Sequence, residues 1–282
     1  MSSSNSGTSL RVASVNVNGV RAAFRNGMGA WLDKREVDIL ALQEVRAATS
    51  DLESLLGDEW DILHDAATAK GRAGVALASR NKASIHRVTL GADDFDSAGR
   101  WLEADYEVGG KVVTVVSTYV HSGEAGTPKQ VEKYKFLDAM VERLPRLMEH
   151  NPLSVVVGDL NVGHRTLDIK NWKGNVKRAG FLPEERAYFD RFLGAEGDPD
   201  YNAGAGFGFV DIGRRAAGEV EGPYTWWSAR GQAFDNNTGW RIDYQLATPE
   251  LAAKVTDYTV DRAASYAERW SDHAPVVVDY SI

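Results

Sequence analysis

Short apolar segments rich in β-branched residues alternate along most of the chain with a few amphipathic segments. The clearest is residues 153–157, where four of five positions are apolar and three of those are β-branched. Such a run predicts a strand buried in a layered sheet. The same patterns predict further strands over residues 10–17, 37–43, 74–78, 83–88, 100–108, 111–120, 209–214, 224–227, 241–247, 255–260 and 274–280.

The amphipathic segments predict four or five helices. Pro128 opens the longest of them, with a predicted apolar face formed by Val131, Tyr134, Leu137, Val141 and Leu144. Other helices are expected over residues 22–34, 51–56 and 183–193. Single helices separated by several strands predict an α/β (α+β) fold with two packed sheets and helices outside. We expect one domain over residues 10–282 and a disordered tail over 1–9, which is polar and small.

Polar side chains interrupt the predicted strands where they end. Asp159 and Asn161 follow the strand over residues 153–157 with the spacing that puts both on one side of an extended backbone. Other strands end in or near polar residues in the same way, namely Asn16, Glu44, Tyr119, Asp243, Asp272 and His273. Polar ends on several core strands predict one active site at one edge of a sandwich.

Each of these residues also has a structural explanation. The Gly-Asp and Asn residues around position 159 are ordinary turn formers. Asp243 could pair with Arg241 or Arg262, and His273 could be a structural histidine. Tyr119 could belong to the core. Only the joint order of the set along the chain favours a site.

Composition narrows the chemistry. The chain has 282 residues, 43% of them hydrophobic, which is enough for a large core. It has no cysteine, which excludes disulfides, thiolate zinc sites and a cysteine nucleophile and fits a cytoplasmic protein. A net charge of −8 argues against nucleic-acid binding through bulk positive charge. We expect no membrane span, no zinc hydrolase of the HExxH type and no serine hydrolase, because the corresponding motifs are absent.

The order of the polar segments resembles the exonuclease III family of abasic-site (AP) endonucleases, within the endonuclease/exonuclease/phosphatase superfamily. The resemblance spans residues 11–282 and is carried by Ser14-Val-Asn-Val-Asn-Gly-Val-Arg21, Ala41-Leu-Gln-Glu44, Gly74-Val-Ala-Leu77, Tyr119, Gly158-Asp-Leu-Asn161, Asn171-Trp-Lys-Gly-Asn175, Ala179-Gly-Phe181, Gly239-Trp-Arg-Ile-Asp243 and Ser271-Asp-His273. It implies a DNase I-like, four-layer αββα sandwich of two mixed β-sheets.

Carboxylates and amides without thiolates form a set of hard oxygen ligands, suited to Mg²⁺ with Mn²⁺ as a substitute. The resemblance implies that Glu44 is the main metal ligand, with Asn16 beside it and Asp272 supporting. A second metal site at Asp159, Asn161 and His273 stays open.

The resemblance also implies the catalytic roles. Asp159 would activate the attacking water and Asn161 would position it. His273 would contact the phosphate, with Asp243 fixing its tautomer. Tyr119 would contact the phosphate near the leaving group.

The implied partner is double-stranded DNA containing abasic sites, bound by a monomer in the cytoplasm, on the nucleoid if the source is bacterial. Trp226-Trp227, Trp240 and Ile242 match the family's apolar pocket for a flipped-out sugar. Asn171 and Asn175, in the basic segment over residues 164–178, are implied phosphate contacts, and Arg21 after the first strand is another.

The implied reaction is incision 5′ to the abasic site, leaving a 3′-hydroxyl, with 3′-phosphodiesterase and 3′→5′ exonuclease activity beside it. Alternatives are a phosphatase or lipid phosphodiesterase on the same core, a predominant exonuclease, or a catalytically silent relative. The loop over residues 122–127 carries the acidic Glu124 where close relatives often place a bulky or basic residue, so its grip on a duplex is an open point.

Overall fold

The computed structural model describes residues 7–69, 71–91, 95–194 and 206–282 and contains two six-stranded sheets. The first has the order β11-β12-β1-β2-β4-β3 and the second the order β5-β6-β7-β8-β10-β9, and both mix parallel and antiparallel pairs. The strands are β1 Ser9–Asn16, β2 Ile39–Gln43, β3 Asp61–Asp65, β4 Val75–Ser79, β5 Ile85–Arg87, β6 Trp101–Val108, β7 Lys111–Tyr119, β8 Ser154–Asp159, β9 Val210–Asp211, β10 Asp243–Ala247, β11 Val255–Val260 and β12 Val276–Ser281.

Seven α-helices lie in the described ranges, more than the four or five predicted. They are α1 Val20–Arg25, α2 Met28–Arg35, α3 Thr49–Leu56, α4 Pro128–His150, α5 Pro183–Phe192, α6 Ile212–Ala217 and α7 Pro249–Ala252. None of the helices in the described ranges is both long and apolar enough to cross a bilayer.

Three apolar cores define four layers. The central core joins inward-facing residues of both sheets, among them Val12 of β1 and Val155 of β8. A second core packs α4 and α5 against the outer face of one sheet, and a third packs α1 to α3 against the outer face of the other. The predicted αββα sandwich of two mixed sheets is therefore confirmed.

The functional end of the sandwich follows from strand direction. β1 runs parallel to β2, and β7 runs parallel to β8, so the carboxyl ends of each pair lie side by side. β10 runs antiparallel to β8, with Asp243 opposite Asp159 in the register. Residues predicted from separate strand ends therefore meet at one edge.

Three predicted elements were wrong in their details. The helix expected over residues 22–34 is two helices, separated at Gly27, whose φ of 116° interrupts the helical backbone. Residues 209–214 form only the short β9 before α6 begins, since the Asp211 carboxylate accepts the Arg214 amide and caps a helix there. Residues 224–227 form isolated bridges from Trp226 to Trp240 and His273 and no regular strand.

Smaller differences concern edges and faces. β3 was not predicted, and β5 is shorter than residues 83–88. Val131 of α4 is 53% exposed, so it does not belong to the apolar face. Of the tail expected over residues 1–9, positions 1–6 lie outside the described residues. Ser9, at its end, pairs with Ser281 as the first residue of β1.

Candidate active site

The polar strand ends meet at the bottom of a cavity of about 520 Å³. Asn16, at the end of β1, connects the two sheets through its side-chain amide. Its Nδ2 donates to Glu44 Oε1 and to Asp159 Oδ2, both at 2.9 Å. The cavity is lined by Asn18, Glu44, Arg46, Tyr119, Ser122, Gly123, Asp159, Asn161, Asn175, Arg178, Ala179, Gly180, Trp226, Trp240, Ile242, Asp272 and His273.

The backbone around Asp159 explains the glycine and asparagine beside it. Gly158 has φ of 144°, and a Cβ there would lie 1.9 Å from the Thr118 carbonyl oxygen, so the close approach of β7 requires glycine. Asn161 has φ of 50°. Its backbone N–H donates to Asp159 Oδ1 at 2.9 Å, and its Nδ2 donates to Asp159 Oδ2 at 3.0 Å. The turn therefore aims two amides at one buried carboxylate.

His273 lies between two carboxylates. Its Nδ1 is 2.8 Å from Asp243 Oδ2, which also accepts a hydrogen bond from Thr225 Oγ1. Its Nε2 is 3.8 Å from Asp159 Oδ2. The contact with Asp243 fixes the ring and favours a proton on Nδ1, so Nε2 faces the cavity and Asp159. Asp243 pairs with neither Arg241 nor Arg262, so that structural alternative is wrong.

Burial and crowding shift the pKa values of this cluster. Burial raises the pKa of Asp159; His273 opposes this, and Asp243 and Glu44 raise it further. Burial lowers the pKa of His273, but the carboxylates of Asp243 and Asp159 outweigh it and raise that pKa above its ordinary value. The cluster thus holds more negative charge than its own cation balances.

Oxygen ligands for a divalent metal are present in this cluster. One ligand atom each from Asp159, Asp243 and His273 lie within 4.8 Å of one another. Glu44 borders the same cavity, and its Oε2 forms an ion pair with Arg46. A cation here would offset the carboxylate crowding that raises the pKa of Asp159, so the residues present fit a hard divalent ion.

Asp272 lies on the cavity wall with two donors of its own. Asn18 Nδ2 donates to Asp272 Oδ1 at 3.0 Å, and Trp226 Nε1 donates to Oδ2 at 3.1 Å. Burial would raise the pKa of Asp272, but His273 and these donors lower it below its ordinary value. Asp272 is therefore an anion held in place beside the cluster.

The apolar wall is formed by two tryptophans and Ile242. The rings of Trp226 and Trp240 meet edge to face, with centroids 6.1 Å apart and planes at 89°. Gly180 packs against the Trp240 ring. A Cβ added at position 180 would lie only 2.9 Å from that ring. The prediction that Trp227 belongs to this pocket is wrong, because its side chain is buried against Phe234 and does not line the cavity.

The structure does not bring all predicted DNA contacts into the cavity. Asn175 lines it, and Asn175 Nδ2 donates to the Asn171 carbonyl at 2.8 Å, but Asn171 itself does not line it. Arg21 borders a separate cavity of about 350 Å³ and lies 3.7 Å from Asp51. Arg46 lines both cavities, so the two are adjacent.

Seven lining residues had no role predicted from the sequence, namely Asn18, Arg46, Ser122, Gly123, Arg178, Ala179 and Gly180. Asn18 interrupts the first predicted strand together with Asn16, and Arg178 ends the basic segment, so both had a local signal. Arg46 follows Glu44 by two residues with no such signal. The guanidinium carbon of Arg100 lies 4.8 Å from the centre of the Tyr119 ring, in a cation–π contact. Burial raises the pKa of Tyr119, so its hydroxyl keeps its proton.

Comparison with known proteins places this site in a family. The family model for the endonuclease/exonuclease/phosphatase family matches residues 13–273. An exodeoxyribonuclease of Bacillus subtilis is 31% identical over 268 residues, covering 95% of this chain and 98% of the relative. A DNA-(apurinic or apyrimidinic site) endonuclease of Dictyostelium discoideum is 30% identical over 277 residues, covering 96% of this chain and 71% of the relative.

Solved structures agree with this. A 3′-5′ exonuclease (NExo) from Neisseria meningitidis superimposes with a TM-score of 0.82 at 27% identity, covering 97% of this chain and all of the other. An AP endonuclease from Archaeoglobus fulgidus superimposes with a TM-score of 0.77 at 25% identity, with the same coverage.

The chain belongs to the endonuclease/exonuclease/phosphatase family. Within it, the chain belongs to the exonuclease III group that includes the AP endonucleases, and it is a phosphodiester hydrolase. Members of this family depend on a divalent metal ion, in keeping with the acidic cluster of the site.

Proposed function

We propose that this protein is a Mg²⁺-dependent DNA repair endonuclease that cleaves the phosphodiester 5′ to an abasic site and leaves a 3′-hydroxyl. The observation that carries the proposal is a single cavity in which the Asp159, Asp243 and His273 cluster faces a wall formed by Trp226 and Trp240. Hydrolytic groups and a binding surface for a sugar without a base thus share one opening.

Glu44 and Asn16 would hold the ion, with Asp272 in support. A bound Mg²⁺ neutralises negative charge on the transferring phosphoryl group. All three offer hard oxygen atoms, and Mg²⁺ needs only one or two carboxylates because it keeps several waters. Asp159, Asn161 and His273 are the candidates for a second ion.

The remaining residues divide the proton and charge chemistry. Asp159 would orient and deprotonate the attacking water, with Asn161 fixing the carboxylate through two amides. His273, with Nδ1 held by Asp243, would donate from Nε2 to a phosphoryl oxygen. The Tyr119 hydroxyl would donate to the leaving oxygen.

Substrate selection would come from the apolar wall. An abasic nucleotide has no base to unstack, so extruding it from the duplex costs little. Trp226, Trp240 and Ile242 would receive the bare sugar, and a sugar carrying a base would not fit between them and the cluster. Asn175, Asn171 and Arg21 would contact flanking phosphates, which set register without reading sequence.

A predominant 3′→5′ exonuclease is the second candidate. It is favoured by the likeness to the Neisseria protein described as a 3′-5′ exonuclease and by Glu124, an acidic residue in the loop after Tyr119. A phosphatase or lipid phosphodiesterase is not favoured, because the relatives that match nearly all of this chain are an exodeoxyribonuclease and a DNA endonuclease. One chain supplies every proposed residue, which supports a monomer with a single catalytic domain over residues 10–282.

The test uses a duplex with one synthetic abasic site and an undamaged duplex, each labelled at both ends, in Mg²⁺ and in EDTA. Metal-dependent incision 5′ to the lesion, with the undamaged duplex intact, supports the proposal. Shortening of both duplexes from their 3′ ends makes the exonuclease the main activity. If neither duplex is cut while an inositol phosphate is hydrolysed, the proposal is wrong.

A further inference from the structure

A buried ion pair lies directly behind the cavity and has no assigned part in the reaction. Lys133 of α4 and Glu185 of α5 are both fully buried, and Lys133 Nζ is 2.6 Å from Glu185 Oε1. Two charges removed from water persist only with close partners and further hydrogen bonds. Three of its further hydrogen-bond partners, Asn161, Ser122 and Gly180, line the cavity, and Gln130 and Leu182 complete the set.

The Lys133 ammonium points at the turn that carries Asn161. Its Nζ donates to the Asn161 carbonyl oxygen at 2.8 Å and to the Ser122 carbonyl oxygen at 3.4 Å. Asn161 is the residue with φ of 50° whose N–H and Nδ2 both hold the Asp159 carboxylate. A bond to its carbonyl therefore holds the Asn161–Val162 peptide and with it the ψ angle of the residue that supplies both donors.

The Glu185 carboxylate extends the connection to the opposite wall. Its Oε2 accepts the backbone N–H of Gly180 at 2.6 Å and of Leu182 at 3.0 Å. Gly180 lines the cavity against Trp240. The loop after Tyr119 is also included, since a Cβ on Gly123 would lie 3.0 Å from Lys133 Cδ.

We propose that Lys133 is a positioning residue for the hydrolysis: its buried ammonium, paired with Glu185, holds the Asn161 carbonyl and through it the orientation of Asp159. The inference rests on the proposed function for its reaction readout. Loss of the ammonium removes no group that would touch the substrate. It frees the turn at Asn161, which orients the Asp159 carboxylate. Misplacement of a reacting group by about 1 Å can cost about 100-fold in rate.

The variants separate this role from simple stabilisation. Lys133→Met alone would leave Glu185 buried without a cation and could unfold the chain. Glu185→Gln alone would likewise leave the Lys133 ammonium buried without its counter-charge, so neither single variant isolates the role of the ammonium. The double variant Lys133→Met/Glu185→Gln removes the ammonium without leaving a lone charge. Lys135→Met, on the same helix in an exposed pair with Glu132, is the matched control.

We expect Lys135→Met to cleave the abasic duplex within about threefold of wild type. The double variant should lose about 10- to 100-fold in kcat with KM changed by less than about threefold, because ground-state DNA binding does not use Asp159. Should the double variant be unfolded at the assay temperature, Lys133→Gln/Glu185→Gln, which keeps a shorter neutral donor and leaves no lone charge, should show an intermediate loss in kcat.

A second readout needs neither metal nor DNA. Hydrogen exchange in EDTA should be faster over residues 158–163 in the double variant than in Lys135→Met, with residues 154–157 of β8 unchanged. This distinguishes the two proposals, since it reports on Lys133 even if wild type cuts no abasic duplex. Turnover of the double variant equal to that of Lys135→Met, or equal exchange over residues 158–163 in the two variants, would overturn the inference.

Discussion

Two buried polar clusters lie close together in this molecule and differ in charge balance. In one, Arg241 is wholly buried between Asp168 and Asp211. Its Nε lies 2.8 Å from Asp168 Oδ1 and its Nη2 lies 2.7 Å from Asp211 Oδ2. Arg214 adds a second cation, with Nη2 2.5 Å from Asp168 Oδ1. Two guanidinium groups thus balance two carboxylates. We call this set the arginine network.

The cluster at the cavity has the opposite character. Asp159 and Asp243 share the imidazole of His273, and the nearby Glu44 forms an ion pair with Arg46. Burial acts on both sets, yet the pKa of Asp168 falls, because both arginines outweigh burial, while the pKa of Asp159 rises. A balanced buried cluster is built for stability, and an unbalanced one is built to accept a cation or a proton.

The largest expected effect comes from removing the carboxylate at the unbalanced cluster. Asp159→Asn should lower kcat on the abasic duplex by about 10³- to 10⁴-fold, since it removes the proposed base. Its thermal midpoint in EDTA should equal or exceed that of wild type, because a buried carboxyl with a raised pKa is disfavoured in its ionised form. Exposed Asp58→Asn is the control, and near-normal turnover of Asp159→Asn would remove Asp159 from the mechanism.

The same kind of change in the arginine network should act on stability. Arg241→Met leaves Asp168 and Asp211 buried without their shared cation, which should cost about 3–5 kcal/mol in the free energy of unfolding. Urea denaturation measures this loss. A cost below about 1 kcal/mol would show that the network does not stabilise the fold.

Acid titration distinguishes the clusters by the sign of their pKa shifts. The Asp168 pKa is lowered from 3.8 to about 2, so its stabilisation is fully present above pH 4 and is lost as pH falls toward 2. The shift of about two units corresponds to about 2–3 kcal/mol. The free energy of unfolding of Asp168→Asn should therefore fall less between pH 4 and pH 2 than that of wild type. Parallel curves of unfolding free energy against pH for the two proteins would contradict the lowered pKa.

The smallest effect is expected from an exposed charge outside both clusters. Lys177, in the basic segment beside the cavity, should contact a phosphate only through screened attraction. Lys177→Ala should raise KM a few-fold and reduce the slope of log KM against log salt by about 1. Lys111→Ala, at the opposite end of β7 from Tyr119, is the control. An equal slope for both variants would place the DNA elsewhere.

The unbalanced cluster was readable from the sequence, because its residues interrupt apolar strands. Asp159 and Asn161 follow a run of β-branched residues, and Asp243 and His273 lie beside two more apolar runs. Such interruptions are local, and strand direction then brings them together.

The arginine network was not readable in this way. Asp168 lies in a polar segment that resembles a solvated loop, and its partner Arg241 is 73 positions away. Asp211 lies in the predicted strand, as β9 confirms, but the strand pattern does not show that its carboxylate caps α6 and holds Arg241. Pairings of this length depend on the completed fold, and the local pattern contains no trace of them.

The role of Arg46 and Lys133 was equally hidden. Lys133 precedes Leu137 by four residues and so lies on the buried face of α4, but the helical pattern does not show what pairs with a lysine there. Only the approach of α5 and the turn at Asn161 gives its ammonium partners.

The most direct test of the central claim is thermal unfolding of wild type, Glu44→Gln and Arg241→Lys with and without Mg²⁺. If the negative charge of the cavity cluster is there to hold a cation, saturating Mg²⁺ should stabilise wild type by about 1–3 kcal/mol. It should stabilise Arg241→Lys by the same amount and leave Glu44→Gln almost unchanged. Equal stabilisation of all three by Mg²⁺, or none in wild type, would contradict the assignment of this cluster as the metal site.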